Sequence, residues 1–295
     1  VSDSVGAALL AIAAALCIAV GTVVRQRTAA GVPDDAVGTL GPITALVRNP
    51  VWWLGTVAGV GGYAFQAAAL GRGSLLLVQP LLVLSLLFAL PLGARLADRS
   101  VGRSEWLWAA ALAGSVAVLV VLGNPRPGLA RAEPLHWVLT CLVGAPLVAA
   151  GLIAARRVRG ARKALLLGAV GGALFGVSAV LTKGVVDIAS RGVLPLATAP
   201  ELWALLLLAA GAVTVQQAAF QAGDLRASLP ATTVLEPVVA SLLGFVVLGE
   251  YLDADRAMSV VLVTAAAVMV AATVALARGD AAASSPDQAV CPPGE

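Results

Sequence analysis

Long stretches of the chain are apolar on every helical face, and short polar segments between them carry nearly all of the charge. Runs long enough to cross a bilayer lie at residues 5–24, 51–70, 75–92, 105–122, 135–154, 164–182, 200–220, 228–248 and 257–277, because a helix needs about 20 apolar residues to span the hydrocarbon. Barrel strands would alternate polar with apolar positions, and these runs do not. The pattern predicts an all-α fold, a polytopic membrane helix bundle of about nine transmembrane helices. Trp52, Trp53, Trp106, Trp108, Trp137 and Trp203 fall near the start of a run, where an indole sits at headgroup level. Gly55 and Gly59, then Gly168, Gly172 and Gly176, recur every four residues, a spacing that lets helix backbones approach closely. Residues 184–199 carry Asp187, Arg191 and Pro195 and are expected to form a loop. Residues 279–295, rich in Ala, Ser, Pro and acid, are expected to be disordered.

Composition narrows the class further. Of the 295 residues 60% are hydrophobic and only 12% charged, about half the charged share of a soluble domain, which excludes an ordinary cytosolic globule. The net charge is +3, but the basic residues form short clusters and no continuous stripe, so no nucleic-acid partner is expected. They sort by membrane side instead. With the N-terminus outside, one set of loops holds Arg25, Arg27, Arg48, Arg95, Arg99, Arg103, the basic cluster at 156–163, Arg226 and Arg278. The other set holds only Arg72, Arg126, Arg131, Lys183, Arg191 and Arg256. This bias predicts a multi-pass protein of the inner (plasma) membrane with its N-terminus outside and its C-terminus cytoplasmic. The first run has no basic residue before it and is expected to be a retained span. Cys17 and Cys141 lie in apolar runs and Cys291 in the polar tail, without metal or disulfide spacing; all three read as small buried hydrophobes.

The chain also resembles itself. Residues 77–82, LVQPLL, align with 234–239, VLEPVV, at an offset of 157, which also carries Phe88 onto Phe245 and Arg99 onto Arg256. Residues 15–25 align with 173–183 at an offset of 158, placing Arg25 opposite Lys183. Residues 1–134 are thus a first four-helix repeat, 135–163 a linker helix with a basic loop, 164–278 a second four-helix repeat, and 279–295 the tail. Four spans return the chain to its starting side, so a single linker span makes the second half begin from the opposite side. The halves are expected to be inverted relative to each other, an arrangement characteristic of secondary transporters.

The segment QAGDLRASLPATTVLEPVVASLLGFVVLGEYL at 221–252 resembles the C-terminal half-signature of the drug/metabolite transporter superfamily, the EamA-like permeases. ALGRGSLLLVQPLLVLSLLFALPL at 69–92 resembles its first-half counterpart. The nine-span layout and the first-helix ending VGTVVRQR at 20–27 are similar to the NIPA-like branch associated with magnesium transport. Typical EamA-like members have ten spans, one more than this chain. The resemblance implies a permease that works by alternating access.

Several polar residues lie where hydrocarbon makes them costly. Glu236 falls near the middle of its span, where an acid costs about 2.5 to 3.5 kcal/mol on insertion scales. It is either a proton or cation carrier or a neutral glutamate bonded to a neighbouring helix. Pro237 frees the carbonyl of Thr233, and Pro80 that of Leu76; each proline kinks its helix or opens a polar notch. Thr232 and Thr233 share the face of Glu236. Gln66, Gln79, Gln216, Gln217 and Gln221 line a path or glue helices together, and Gln79 is singled out because the repeat pairs it with Glu236. Arg25 and Lys183 end corresponding helices and are expected to snorkel to the headgroups. His136, beside Trp137, has no partner at ligand spacing.

No H-E-x-x-H, G-x-S-x-G or Walker A pattern occurs, so no enzyme, cofactor, metal centre or ATP-driven pump is expected. The sequence points to a secondary transporter for a small metabolite or drug-like solute, proton- or ion-coupled. Its partners are a small-molecule or ion substrate and the lipid bilayer, with homodimerisation left open. The substrate or ion site is expected at Glu236, Gln79, Thr232, Thr233 and Gln217, with Pro80 and Pro237 as helix kinks. A magnesium or other divalent-cation permease and a non-transporting membrane scaffold remain alternatives.

Overall fold

Apolar runs that cannot leave backbone groups unpaired in hydrocarbon must coil into helices, and the computed structural model is almost wholly helical. It describes residues 2–30, 48–96, 100–222 and 225–283. In chain order the helices are α1 (Ser2–Ala30), α2 (Pro50–Leu70), α3 (Leu75–Val83), α4 (Ser85–Leu96), α5 (Arg103–Val121), α6 (Pro134–Arg157), α7 (Gly160–Ala189), α8 (Val193–Thr198), α9 (Pro200–Gln221), α10 (Leu225–Val247) and α11 (Arg256–Ala283). Two short strands, β1 (Pro125–Arg126) and β2 (Tyr251–Leu252), pair antiparallel with Arg126 opposite Tyr251.

Eight apolar stretches among the described residues are long enough to cross a membrane, α3 and α4 together making one of them. Helix α2, with 21 residues, is not one of these eight. It nevertheless runs antiparallel along α1. Gly55 lies against Val24 and Arg25, Gly62 against Ile18, and Gly73, just past α2, against Ala7.

Glycines set the closest approaches. A Cβ on Gly21 would lie 2.7 Å from the Gly55 oxygen and from the Gly59 nitrogen. On α7, Gly168, Gly172 and Gly176 face Ser228, Thr232 and Glu236 in turn, so α7 and α10 run parallel at backbone contact. Helix α7 is the hub: it packs extensively on α10 and α9 and also meets α6, α2 and α8. Helix α5 pairs with α11, while α3 and α4 pack on α1, and α3 also on α10.

Three sequence expectations are corrected. Residues 184–199 are not a loop: α7 continues to Ala189, and the six-residue α8 follows. The Arg191–Asp187 pair at i, i+4 spacing supports that last turn, and α8 is far too short to cross. The tail is helical as far as Ala283; its remainder, with Cys291, lies outside the described residues, as does Arg99. Cys141 is exposed on α6 rather than buried, because of that helix only Ala155 is buried.

Candidate substrate and ion site

Glu236 stands midway along α10, where the helix leans on the glycine seam of α7. A Cβ on Gly176 would lie 2.8 Å from the Glu236 carbonyl oxygen, so the absent side chain is what allows the two helices to meet at this depth. The residue is partly buried, and its carboxylate forms no hydrogen bond or ion pair among the described residues. Tyr63 of α2 lies within electrostatic reach of both Glu236 and Arg25, yet it keeps 58% of its surface open. Helices α2 and α10 have no extensive packing against each other. The tyrosine is thus an exposed ring whose phenol feels both the carboxylate and the guanidinium.

Arg25 does not snorkel outward. Its Nε donates to the Gly21 carbonyl oxygen at 3.0 Å, one turn toward the N-terminus. Its guanidinium lies over Gly59, where a Cβ would sit 3.4 Å from a terminal nitrogen. Helical side chains lean toward the N-terminus, and the bare face of α2 leaves room for this one to follow that lean into the bundle.

Other expected site residues take different positions. Gln79 is 1% exposed, and its Nε2 has no hydrogen-bond partner among the described residues; an amide donor left so is costly and calls for an acceptor. It lies one turn into α3, whose start at Leu75 packs on Gly244 near the end of α10. Pro80 is buried beside it, and α3 gives way to α4 at Leu84. Pro237 is buried in an α10 that continues through it. Thr232 donates to the Gly168 oxygen of α7 at 3.0 Å and to Ser228 of its own helix, so its hydroxyl proton ties helices together. Thr233 donates to Leu229 at 2.7 Å on its own helix. Gln217 is on the exposed face of α9. Of the five residues expected in the site, the structure turns Gln217 away and commits both threonine hydrogens to helix carbonyls. It adds Tyr63 and Arg25, which sequence reading missed as site residues. The signal for Tyr63 was a lone phenol in the middle of a span.

A second polar cluster also escaped the sequence. Glu250 follows Gly249, whose left-handed backbone (φ +63°) turns the chain back at the end of α10. Its carboxylate is 1% exposed and accepts from the Leu75 and Leu76 backbone N–H groups at 3.0 and 3.1 Å. It thereby caps the N-terminus of α3, whose unpaired donors and dipole favour an anion. Lys183 completes the cluster, its Nζ 2.5 Å from Glu250 Oε1. The expected snorkelling of Lys183 is thus corrected: the ammonium is 6% exposed because a buried carboxylate holds it. Beside it, a cavity of about 150 Å³ is lined by Leu70, Gly71, Lys183, Val186, Asp187 and Ser190.

The chain is 41% identical over 273 residues to an uncharacterized protein of Corynebacterium glutamicum, a match covering 92% of this chain and 94% of that protein. The chain belongs to that protein's family. A match over nearly the whole of both chains means that the family shares the entire helix array and not one segment of it. No family model and no solved structure matches the chain.

Proposed function

We propose that the protein is a secondary transporter of drug/metabolite-transporter type, which carries a small solute through the membrane by alternating access. The observation that carries this reading is the Glu236 carboxylate in mid-helix, with no hydrogen bond or ion pair among the described residues and within electrostatic reach of Tyr63, which Arg25 also reaches. An acid at membrane depth marks an ion or substrate path by default. A crossing by α2 fits its antiparallel run along α1, and the later spans alternate as their loop ends meet. Strands β1 and β2 pair at the ends of α5 and α10, and Gly279 near the end of α11 lies beside Glu105 at the start of α5. Each contact joins loops that nine alternating spans assign to the same side. The inverted-repeat reading is supported by the paired roles of α1 and α7: α1 packs on α2 and on α3 and α4, as α7 packs on the corresponding α9 and α10.

In this reading solute binds between the halves, Glu236 carries the coupling proton or cation, and the Gln79 amide supplies a donor. The test is flux into proteoliposomes under an imposed proton or cation gradient, screened over amino acids, nucleobases, polyamines, cationic drugs and divalent metals. Glu236→Gln keeps the shape and removes the charge. It is expected to insert normally and to lose gradient-driven flux down to the protein-free background. Flux unchanged by this substitution removes Glu236 from the mechanism.

A further inference from the structure

Four ion pairs among the described residues gather at one end of the bundle. Arg126 pairs with Asp253, Arg131 with Glu201, Lys183 with Glu250 and Arg191 with Asp187, all where α5, α7 and α10 end and α6, α9 and α11 begin. Only Lys183–Glu250 is buried on both sides. It joins α7, the turn after α10 and the first turn of α3, so it fastens the second half of the chain to the first across 175 positions of sequence. The cavity beside Lys183, lined also by Asp187 and Ser190, gives its ammonium room to move when the pair parts. Arg25, the residue that the internal repeat sets opposite Lys183, has no carboxylate within ion-pair distance among the described residues; its Nε donates to the Gly21 carbonyl oxygen of its own helix, and it lies within electrostatic reach of Tyr63. Corresponding cations therefore differ among the described residues: Lys183 is clasped by a carboxylate and Arg25 is not. A buried ion pair is a poor choice for stability alone, since apolar side chains of similar volume do as well or better. Its charges regain hydration on separation, which suits a contact that opens and closes.

We propose that Lys183, Glu250 and the first turn of α3 form the gate at one end of the carrier, and that the structure is the state closed at that end. This rests on the transport reading, but its test does not need a solute. In a full-length background carrying Cys17→Ser, Cys141→Ser and Cys291→Ser, Val78→Cys places a thiol one turn below the clasp, where Val78 is fully buried. Labelling by a membrane-impermeant maleimide is followed in oriented vesicles of both polarities. Glu250→Gln removes the charge that holds Lys183 and weakens the cap on α3. It is expected to raise the labelling rate about tenfold or more from one face only. The double variant Lys183→Met, Glu250→Gln is expected to do the same, because the cap is still weakened. Leu112→Cys, equally buried on α5, reports general loosening and is expected to stay unlabelled. An unchanged Val78→Cys rate overturns the gate, as does a rise matched at Leu112→Cys or seen from both faces. A one-sided rise in a protein that carries no solute under any gradient leaves the gate standing and removes the carrier reading.

Discussion

At the residue scale, position within a helix matters less than what each polar hydrogen already holds. Thr232 and Thr233 lie side by side on α10, yet Thr232 reaches across to Gly168 whereas Thr233 bonds only to Leu229. Thr232→Val is expected to destabilise the protein by about 0.5 to 1 kcal/mol, the usual worth of an interhelical hydrogen bond in a membrane. Thr233→Val is expected to change stability by less than that. Both shifts can be read from reversible unfolding in detergent mixtures. Arg25 shows the same principle for a charge. Its guanidinium occupies the bare face of α2 at Gly59, and Gly59→Val would fill that face and drive the cation out of reach of Tyr63. The expected outcome is loss of Glu236-dependent flux with the fold intact, checked by transport and by circular dichroism on one preparation.

At the element scale the glycine seams decide which helices touch. A Cβ on Gly172 would lie 2.7 Å from the Thr232 carbonyl oxygen, backbone against backbone, with no side chain to give way. Gly172→Ala is therefore expected to cost about 1 to 3 kcal/mol by forcing α7 from α10. Gly61→Ala and Gly211→Ala meet nothing within 4 Å and are expected to be neutral or to stabilise by up to about 1 kcal/mol through helix propensity. The contrast is measurable as paired shifts in unfolding midpoint. The seam on α7 was legible as Gly168, Gly172 and Gly176 at four-residue spacing, since one chain suffices to show a helix face. Its partner was not, because which helix lies on that face is a property of the packed array. The break at Leu84 was equally hidden: Pro80 announces a weak point, but the helix parts four residues later, where α3 and α4 diverge on α1.

For the whole molecule, the apolar span lengths were readable because bilayer thickness imposes them. The Lys183–Glu250 contact was not, since nothing local ties positions 67 residues apart and a lysine at a helix end has a simpler fate at the headgroups. What that contact implies for the whole array can be tested a few residues away. Arg126 and Tyr251 stand directly opposite in the strand pair, and facing residues in antiparallel strands have Cα atoms about 4.5 to 5.5 Å apart, within disulfide range. In the cysteine-free background, Arg126→Cys with Tyr251→Cys is expected to form a disulfide under mild oxidation. Because β1 follows α5 and β2 leads into α11, that bond staples the two halves of the chain together at the clasped end. A carrier that must open there can no longer complete its cycle, so flux is expected to stop on oxidation and return on adding reductant, while Glu236 remains untouched. Full flux through the oxidised protein would mean that this end never parts, and with it alternation between two faces would fall.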